Sequence, residues 1–203
     1  MRTIFIIFNK LINTIIVFIS KIYTCFILYI YNAEFSNDIS VKGFPVIKLL
    51  SKGKITIGQR FRMNNGRRFN IIGRQQPCYF IVYGRLIIKN NVGISSTAIV
   101  CKSKITIMDN VRIGGNVVIY DTDFHSMDIN IRISGKNDFE HANAKEIIIN
   151  KNVFIGAHSI ILKGVTIGEN SIIGAGSVVS KDIPSNEIWA GNPARLIKKF
   201  HLE

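Results

Sequence analysis

The second half of the chain repeats an apolar residue every six positions. The first positions of these hexads are Ile149, Ile155, Ile161, Ile167, Ile173 and Val179, and the fifth positions are Val153, Ser159, Val165, Ser171, Ser177 and Ile183. An α-helix repeats every 3.6 residues and does not keep a period of six, whereas a parallel β-helix makes one short strand and one turn from each hexad. Because three hexads complete a coil, this run predicts two stacked coils whose first and fifth positions point inward.

A looser version of the same period precedes this run. Ile88, Ile94 and Val100 keep the count, and one extra residue then shifts it to a second set that begins at Ile107. The segment "ITIGQRF" at residues 55–61 indicates a further coil. We therefore predict an all-β chain with a parallel β-helix over residues 52–188, a linker at 36–51, and a turn with a short C-terminal helix at 189–203.

The period breaks at "IYDTDFHSMDINIR", residues 119–132. If the hexad that begins at Ile119 continued, Asp123 would occupy an inward position, and an unpaired carboxylate in an apolar core is very costly. The chain is therefore expected to leave the coil after Tyr120 and to return near Ile147, with residues 121–146 as an excursion. Long loops in compact folds are usually functional.

Residues 1–35 predict an amphipathic helix. On a helical wheel the polar positions fall within roughly 140° of arc; they are Arg2, Thr3, Asn9, Lys10, Asn13, Thr14, Ser20, Lys21 and Thr24. The longest uncharged run falls short of the ~20 residues that a spanning helix needs. The pattern favours a helix that lies in a membrane interface, and the alternatives are a helix packed on its own protein and a spanning or cleaved segment.

The charge of the chain is strongly uneven. The net charge is +13, and residues 39–108 contain thirteen Lys and Arg but no Asp or Glu. This block favours an anionic neighbour such as phospholipid or a polyanionic substrate. We expect no nucleic-acid partner because no recognition motif accompanies the charge. The three scattered cysteines indicate reduced thiols in a cytosolic protein, and no metal-type Cys/His cluster is present, so we expect no metal.

Three segments carry a family resemblance: "IYDTDFHS", "NVFIGAHSIILKGVTIGENSIIGAGSVVSKDIP" and "WAGNPARLI". Residues 52–199 resemble the hexapeptide-repeat acyltransferases, and within them the O-acetyltransferases of capsule, O-antigen and exopolysaccharide synthesis. The resemblance implies a left-handed parallel β-helix and a homotrimer with active sites between subunits.

The resemblance also implies a catalytic base, which in the family is a His at the start of the excursion; here it is His125. Acetyl transfer from a thioester to a sugar hydroxyl needs a proton acceptor near neutral pH, and a neutral imidazole supplies it. Asp121 and Asp123 precede His125 at spacings that share its side in an extended chain, so either is a candidate to orient the imidazole.

By the same resemblance, acetyl-CoA lies along the last coils and contacts small residues, a Ser–Lys pair and a basic residue. The corresponding residues here are Gly156, Ala157, Ala175, Ser180, Lys181 and Arg195. Basic side chains suit the CoA phosphates. Ser95 and Ser96 are candidates for acceptor binding, and His158, at a corner position, is a candidate for a substrate contact.

The features together predict an acetyl-CoA-dependent O-acetyltransferase that modifies a sugar hydroxyl of a cell-surface polysaccharide or its precursor. We expect it in the cytoplasm, peripheral on the inner face of the cell membrane. The alternative with the same chemistry is a small soluble acceptor such as a nucleotide sugar, free sugar or serine. A γ-type carbonic anhydrase would need three converging histidines including an HxxxxH pair, which is absent. A polyanion-binding scaffold would not need the "DTDFH" segment.

Overall fold

The hexad pattern folds into a triangular prism with three parallel sheets as its faces. The computed structural model describes residues 1–73 and 75–200. Sheet A has the strand order β1-β4-β7-β10-β13-β16, sheet B the order β2-β5-β8-β11-β14-β17-β19-β20, and sheet C the order β18-β15-β12-β9-β6-β3. From β1 to β18 each successive strand moves to the next face, so neighbours within a face come from successive coils. This is the architecture of a left-handed parallel β-helix.

The strands of sheet A are β1 (Glu34–Phe35), β4 (Lys54–Ile57), β7 (Arg85–Ile88), β10 (Lys104–Ile107), β13 (Ile147–Ile149) and β16 (Thr166–Ile167). Those of sheet B are β2 (Ile39–Lys42), β5 (Phe61–Asn64), β8 (Gly93–Ser95), β11 (Arg112–Gly115), β14 (Phe154–Ile155), β17 (Ile172–Ile173), β19 (Glu187–Gly191) and β20 (Ala194–Lys199). Those of sheet C are β3 (Val46–Leu49), β6 (Tyr79–Val82), β9 (Ala98–Cys101), β12 (Val118–Tyr120), β15 (Ile160–Ile161) and β18 (Val178–Val179). The helices are α1 (Arg2–Ile30), α2 (Gly66–Phe69), α3 (Ile129–Ser134) and α4 (Asp138–His141).

The core of the prism confirms the sequence period. Every first and fifth hexad position from Ile149 to Ile183 is buried. The stacked isoleucines and valines remove apolar surface from water, which is the main stabilising contribution in such a fold. The apolar column continues through the earlier coils up to β2.

The three edges of the prism are formed by the turns between faces, and we name them by the faces that they join. At the A/B edge an asparagine from each of five coils adopts a left-handed backbone conformation; these are Asn91, Asn110, Asn152, Asn170 and Asn186. Their side-chain amides form a ladder with N–O distances of 2.8 to 3.0 Å. Asparagine tolerates positive φ better than most residues. Its side-chain amide can both donate and accept, so it forms hydrogen bonds with the asparagines of neighbouring coils and thereby fixes this edge.

The first coil begins earlier than the sequence indicates. Residues 36–51, expected to be a linker, contain β2 and β3, which pair in parallel with β5 and β6. The stack therefore starts at Glu34 rather than near Lys52. Ile39 and Val41 are buried, and Ser40 and Lys42, which follow each of them, are exposed. This alternation is that of an ordinary strand.

Helix α1 packs on the first coil through its polar side. Ser20 and Thr24 are buried, and Ser20 Oγ donates a hydrogen bond to the carbonyl oxygen of Val41 at 3.1 Å. Further along, the Arg68 guanidinium donates to Asn13 Oδ1 at 2.5 Å. Leu28 is also buried, and the Tyr23 ring lies 5.4 Å from that of Phe44. Part of the polar arc therefore contacts the protein, as the packed-helix alternative requires, while most of the apolar arc stays exposed.

The outer side of α1 carries fourteen large exposed apolar side chains between Ile4 and Ile30: Ile4, Phe5, Ile6, Ile7, Phe8, Leu11, Ile15, Phe18, Ile19, Ile22, Tyr23, Phe26, Tyr29 and Ile30. Among the described residues α1 is the one helix long and apolar enough to cross a membrane, judged by length and composition.

A second excursion, at residues 65–78, includes α2 and leaves the prism at the B/C edge. The hexad pattern does not predict it. The Asn65 side chain fixes its base, since Oδ1 accepts a hydrogen bond from the Cys78 backbone N–H at 2.7 Å. Residue 74 lies outside the described chain. The excursion reaches α1 through the Arg68–Asn13 contact.

The C-terminal segment is a strand and not the expected short helix. Strand β20 pairs antiparallel with β19, and Gly191 lies opposite Ala194 across the turn at Asn192 and Pro193. Gly191 has a φ of 104°, which favours glycine. Trp189 is buried at this end of the stack, and its indole N–H donates to Glu187 Oε2 at 2.7 Å. The antiparallel strand covers the last parallel edge of sheet B. Residues 201–203 of the expected helix lie outside the described residues.

Candidate functional site

The long excursion leaves the prism at the C/A edge after β12 and returns at β13. Its base is closed by a short antiparallel ladder. Thr122 pairs with Ala144, the Asp123 N–H donates to the Asn143 carbonyl at 3.0 Å, and the Lys145 N–H donates to the Asp121 carbonyl at 2.9 Å. The two ends of the loop are thereby held side by side, so the residues between them project outward from the edge.

Asp121 fastens the excursion to the preceding coil. Its carboxylate accepts hydrogen bonds from the backbone N–H groups of Lys102, Ser103 and Lys104 at 2.6, 2.8 and 2.7 Å. The side chain is fully buried. Asp121 therefore caps the turn of the coil below, and its carboxylate contacts this turn instead of the His125 imidazole.

Two short helices give the excursion its shape. Asp128 caps the start of α3, since its carboxylate accepts from the backbone N–H of Asn130 at 2.7 Å and of Ile131 at 3.4 Å. Gly135 ends α3 with a φ of 66°. An Asp immediately before the first residue of a helix and a Gly immediately after its last residue are the usual signals of helix boundaries. The chain then turns through residues 136 and 137 and places Asp138 as the first residue of α4.

Lys102 anchors α4 to the prism. Its ammonium donates to the carbonyl oxygens of Phe139, Glu140 and Ala142 at 2.5, 3.0 and 2.6 Å. It also lies 4.9 Å from the centre of the Phe139 ring, whose other neighbour is the Tyr83 ring with a centroid separation of 4.6 Å. A cation at the C-terminal carbonyls of a helix is favourable because these groups carry partial negative charge. This contact fixes α4, and with it Asp138, relative to the coils.

Asp138 and His125 form the central contact of the loop. Asp138 Oδ2 lies 2.6 Å from Nδ1 of His125, and Asp138 Oδ1 accepts from the Ser126 N–H at 2.6 Å. The His125 side chain is 69% exposed and that of Asp138 is 14% exposed. When Nδ1–H donates to this carboxylate, the second ring nitrogen, Nε2, carries the free lone pair and faces outward from the contact.

The charge state of Asp138 follows from these contacts. The hydrogen bond with His125, and then that with the Ser126 N–H, hold the pKa of the Asp138 carboxyl below its usual range. An ionised carboxylate at this position orients the ring and stabilises an imidazolium when one forms. The pair therefore has the arrangement of a general base with its orienting group.

Asp123, the other carboxylate expected to orient His125, is occupied elsewhere. Its Oδ1 forms an ion pair with the Lys163 ammonium, on the next coil, at 2.7 Å. The expectation that Asp121 or Asp123 orients the base does not match the contacts, since Asp138 fills that position. Asp121 and Asp123 would share a side with His125 only in an extended chain, but Phe124 has a φ of 64°, which turns the His125 side chain out of line with both.

The residues expected to contact the cofactor lie on two different edges. Gly156, Ala157 and Ala175 lie at the B/C edge, where a Cβ on Gly156 would lie 2.5 Å from the backbone nitrogen of Ala175. No hydrogen bond described in the structure uses the N–H of Ala157 or Ala175. Ser180 and Lys181 lie at the C/A edge and are exposed. One chain therefore does not bring the two groups together.

Two cations near the end of the stack differ in their surroundings. Lys181 holds its ammonium 5.0 Å from the Trp189 ring centre. Arg195 on β20 is exposed, and its guanidinium donates to the Ala194 carbonyl at 3.2 Å. Both leave charge accessible beside the last coils, where phosphate groups can reach it.

The three acceptor-side candidates also differ. Ser95 lies on sheet B and accepts a hydrogen bond from Asn64 at 3.3 Å. Ser96 is fully buried, with a φ of 44°, so it forms the B/C edge and is not placed to touch a substrate. His158 is half-buried at the same edge, 3.1 Å from the side-chain nitrogen of Asn116 through Nδ1. Within residues 1–73 and 75–200, no group of three or more His, Cys, Asp or Glu side chains is arranged to hold a metal ion.

Known proteins share both the repeat and the fold. Residues 146–181 match the family described as "Bacterial transferase hexapeptide (six repeats)". The chain is 50% identical over 91 residues to Protein CapG of Staphylococcus aureus, covering 44% of this chain and 53% of that protein. It is 39% identical over 128 residues to galactoside O-acetyltransferase of Escherichia coli, covering 63% of this chain and 60% of that enzyme.

A solved structure is similar to this chain over a larger share of its own length than the two curated relatives are. The crystal structure of a maltose O-acetyltransferase from Clostridium difficile is 33% identical to this chain, with a TM-score of 0.53, and the match covers 75% of this chain and 70% of that one. The chain spans 53% and 60% of the two curated relatives named above. The six-residue period, the three-sided prism and these similarities together show that the chain belongs to the hexapeptide-repeat transferase family.

Proposed function

We propose that this protein is an O-acetyltransferase that moves an acetyl group from acetyl-CoA to a sugar hydroxyl. The contact between His125 and Asp138 carries the proposal, because it presents an exposed imidazole nitrogen beside an ionised carboxylate. The similarity to a galactoside O-acetyltransferase and a maltose O-acetyltransferase supports a sugar as the acceptor.

The proposed reaction uses His125 twice. Its Nε2 takes the proton of the acceptor hydroxyl while the oxygen attacks the thioester carbonyl carbon, and Asp138 stabilises the imidazolium. The tetrahedral intermediate then collapses, the C–S bond breaks, and the proton on Nε2 passes to the departing sulfur. The products are an O-acetyl sugar and free CoA, and His125 returns to its neutral form.

We propose a homotrimer because the site residues lie on separate edges. His125, Ser180 and Lys181 occupy the C/A edge, whereas Gly156, Ala157 and Ala175 occupy the B/C edge. A second copy whose B/C edge faces this C/A edge would complete a groove for acetyl-CoA. The backbone N–H groups of Ala157 and Ala175 would then be candidates to meet the amide carbonyls of the pantetheine arm, and Lys181 and Arg195 would meet its phosphates.

The finer proposal is that the acceptor belongs to a cell-surface polysaccharide or its precursor. Helix α1 supports it, since fourteen of its large apolar side chains are exposed, from Ile4 to Ile30. A continuous apolar face of this size marks an interaction surface. We propose that this face lies in the cytoplasmic interface of the cell membrane, with Lys10 and Lys21 near anionic headgroups. Lipid-linked or membrane-proximal sugars would then lie within reach.

A direct assay tests the function. The full-length protein is incubated with acetyl-CoA and a panel that contains a methyl galactoside, maltose, a nucleotide sugar, serine and a capsule-type oligosaccharide. Free thiol is followed in solution, and the product is examined by mass spectrometry for a single added acetyl group. Acetylation of a sugar hydroxyl supports the proposal, acetylation of serine favours the small-acceptor alternative, and no acceptor-dependent thiol release contradicts both.

A further inference from the structure

Sheet B carries two arginines on either side of a glycine. Arg62 on β5 and Arg112 on β11 both lie in register with Gly93 on β8 between them. Neighbouring strands are about 4.8 Å apart, so the two side chains rise beside a position that has none. A Cβ on Gly93 would lie 3.3 Å from Cδ of Arg112. The glycine therefore allows the Arg112 side chain to lie close against the sheet.

Both guanidinium groups converge on one neutral oxygen. Nη2 of Arg62 and Nη2 of Arg112 lie 3.0 and 3.2 Å from Asn91 Oδ1. Arg112 also donates to the carbonyl oxygens of Asn91 and Val111. Burial, and then the charge of Arg62, lower the pKa of Arg112. The two cations are thus held together by an acceptor that does not neutralise them.

Among the described residues, no carboxylate forms an ion pair with Arg62 or Arg112. The ion pairs found in the described parts of the chain all use Lys or His as the cation. Asp38 lines a neighbouring hollow of about 230 Å³ together with Arg60 and Arg62, but it forms no ion pair with either. An anion bound between Arg62 and Arg112 would supply the missing charge.

The arginines form one wall of a groove of about 310 Å³ on sheet B. Asn64 and Ser95 line it with an amide and a hydroxyl, and Phe154, 47% exposed, lies in register beside Arg112. An aromatic face with a few polar groups suits a sugar ring, and paired guanidinium groups suit phosphate oxygens through two parallel hydrogen bonds. The groove therefore offers both kinds of contact side by side.

We propose that this groove binds the phosphate of a phosphate-linked sugar, so that the acceptor is an activated or lipid-linked sugar diphosphate. The inference rests on the proposed function for the sugar part. In a single chain the C/A edge with His125 lies opposite sheet B, so the groove of one copy serves the His125 of another. The acceptor then bridges two subunits, with its phosphate on sheet B and its hydroxyl at the imidazole.

The experiment compares four full-length proteins: the unchanged chain, Arg62→Gln, Arg112→Gln and Arg85→Gln. Arg85 is an exposed arginine on sheet A and provides a control for the loss of one positive charge. Binding of inorganic pyrophosphate is measured by calorimetry. We expect about ten- to a hundredfold weaker binding for the two sheet B variants, and little change for Arg85→Gln. Gly93→Ala, which crowds Arg112 without removing charge, should also weaken binding.

Steady-state kinetics identify the source of the phosphate. A nucleoside diphosphate sugar, a short-prenyl diphosphate sugar and an unphosphorylated methyl glycoside are compared as acceptors. Arg112→Gln should raise the KM of the phosphorylated acceptor that is used, and should leave the KM of acetyl-CoA unchanged. The acceptor that is acetylated shows whether the phosphate comes from a nucleotide or from a lipid carrier.

Three results would overturn the inference. Equal weakening by Arg85→Gln would mean diffuse charge attraction, and unchanged pyrophosphate binding in both sheet B variants would mean that the groove is not the site. Loss of the oligomer in Arg112→Gln would mean that this face is an interface between copies. Failure to acetylate any acceptor would contradict the proposed function instead, because the pyrophosphate measurement does not depend on turnover.

Discussion

Asp138 Oδ2 lies 2.6 Å from His125 Nδ1, although thirteen residues and helix α3 separate the two in the chain. The two side chains meet because Lys102 fixes the carbonyl end of α4 to the prism. The proposed base and its carboxylate are thus positioned by one loop that is itself fastened to a rigid repeat. Catalytic groups carried by loops on a rigid scaffold are a common arrangement.

Replacement of this carboxylate should affect turnover more than binding. Asp138→Asn keeps the shape of the side chain but removes the charge that favours the Nδ1–H form of His125. We expect kcat to fall by roughly 10²-fold or more, with the KM of acetyl-CoA within about twofold. Steady-state kinetics across pH check this, and Asp138→Glu should restore part of the rate. If KM and kcat both fell and the amount of folded protein decreased, Asp138 would have a structural role alone.

The same residue should give stability a defined pH dependence. Because the pKa of Asp138 is lowered on folding, its stabilising contribution is fully present above the ordinary value of 3.8 and is lost as the pH falls through the lower folded value. The difference in free energy of unfolding between the unchanged chain and Asp138→Asn should therefore shrink as the pH falls below about 4. Urea unfolding at several pH values measures it. A difference that grows in acid would contradict the assignment.

Asp121 should act on the fold instead of the chemistry. Asp121→Asn replaces a fully buried acceptor of three backbone N–H groups with an amide that cannot satisfy them all. We expect a loss of about 1–3 kcal/mol in the free energy of unfolding. Asp123→Asn is the matched control, since its ion pair with Lys163 is partly exposed and worth less than about 1 kcal/mol. Equal losses of free energy of unfolding in the two variants would show that the buried Asp121 carboxylate stabilises the fold no more than the partly exposed ion pair of Asp123.

The outer face of α1 should determine membrane binding. Phe18→Glu and Ile22→Glu place charges on this face, at residues that are exposed and make no core contact. We expect flotation with anionic vesicles to be lost in the double variant and kept in the double variant of Ile129→Glu and Ile133→Glu, which adds the same two charges at exposed isoleucines of α3. High salt should weaken the binding of the unchanged chain to the vesicles without releasing it, because the burial of apolar side chains does not depend on charge screening. Unchanged flotation of the α1 double variant would place the contact elsewhere.

The repeat could be predicted from the sequence because its signal is local and periodic. Ile149 and Ile155 occupy the same position in successive hexads, so their burial follows from counting. The break at Asp123 likewise marked the point where the chain leaves the coil. The first coil was missed because Ile39 and Val41 alternate with a period of two and give too short a run to reveal the hexad.

The site could be predicted only in part. The motif makes His125 a candidate base, but Asp138 carries no spacing signal, since its position depends on the turns around α3 and on the anchor at Lys102. The groove between Arg62 and Arg112 was also hidden, because the two residues are fifty positions apart and meet only when β5, β8 and β11 stack. Such contacts depend on register between coils, which a reading along the chain does not show.

The role of His125 as the base is tested most directly by acetyl transfer in His125→Asn compared with His141→Asn. Both residues lie in the excursion and are exposed, but only His125 contacts Asp138. With the acceptor found in the panel, single-turnover transfer should fall on the order of 10² to 10⁴-fold in His125→Asn, while acetyl-CoA binding by calorimetry and the rate of His141→Asn stay unchanged. Near-full transfer by His125→Asn would contradict the assignment of this imidazole as the base.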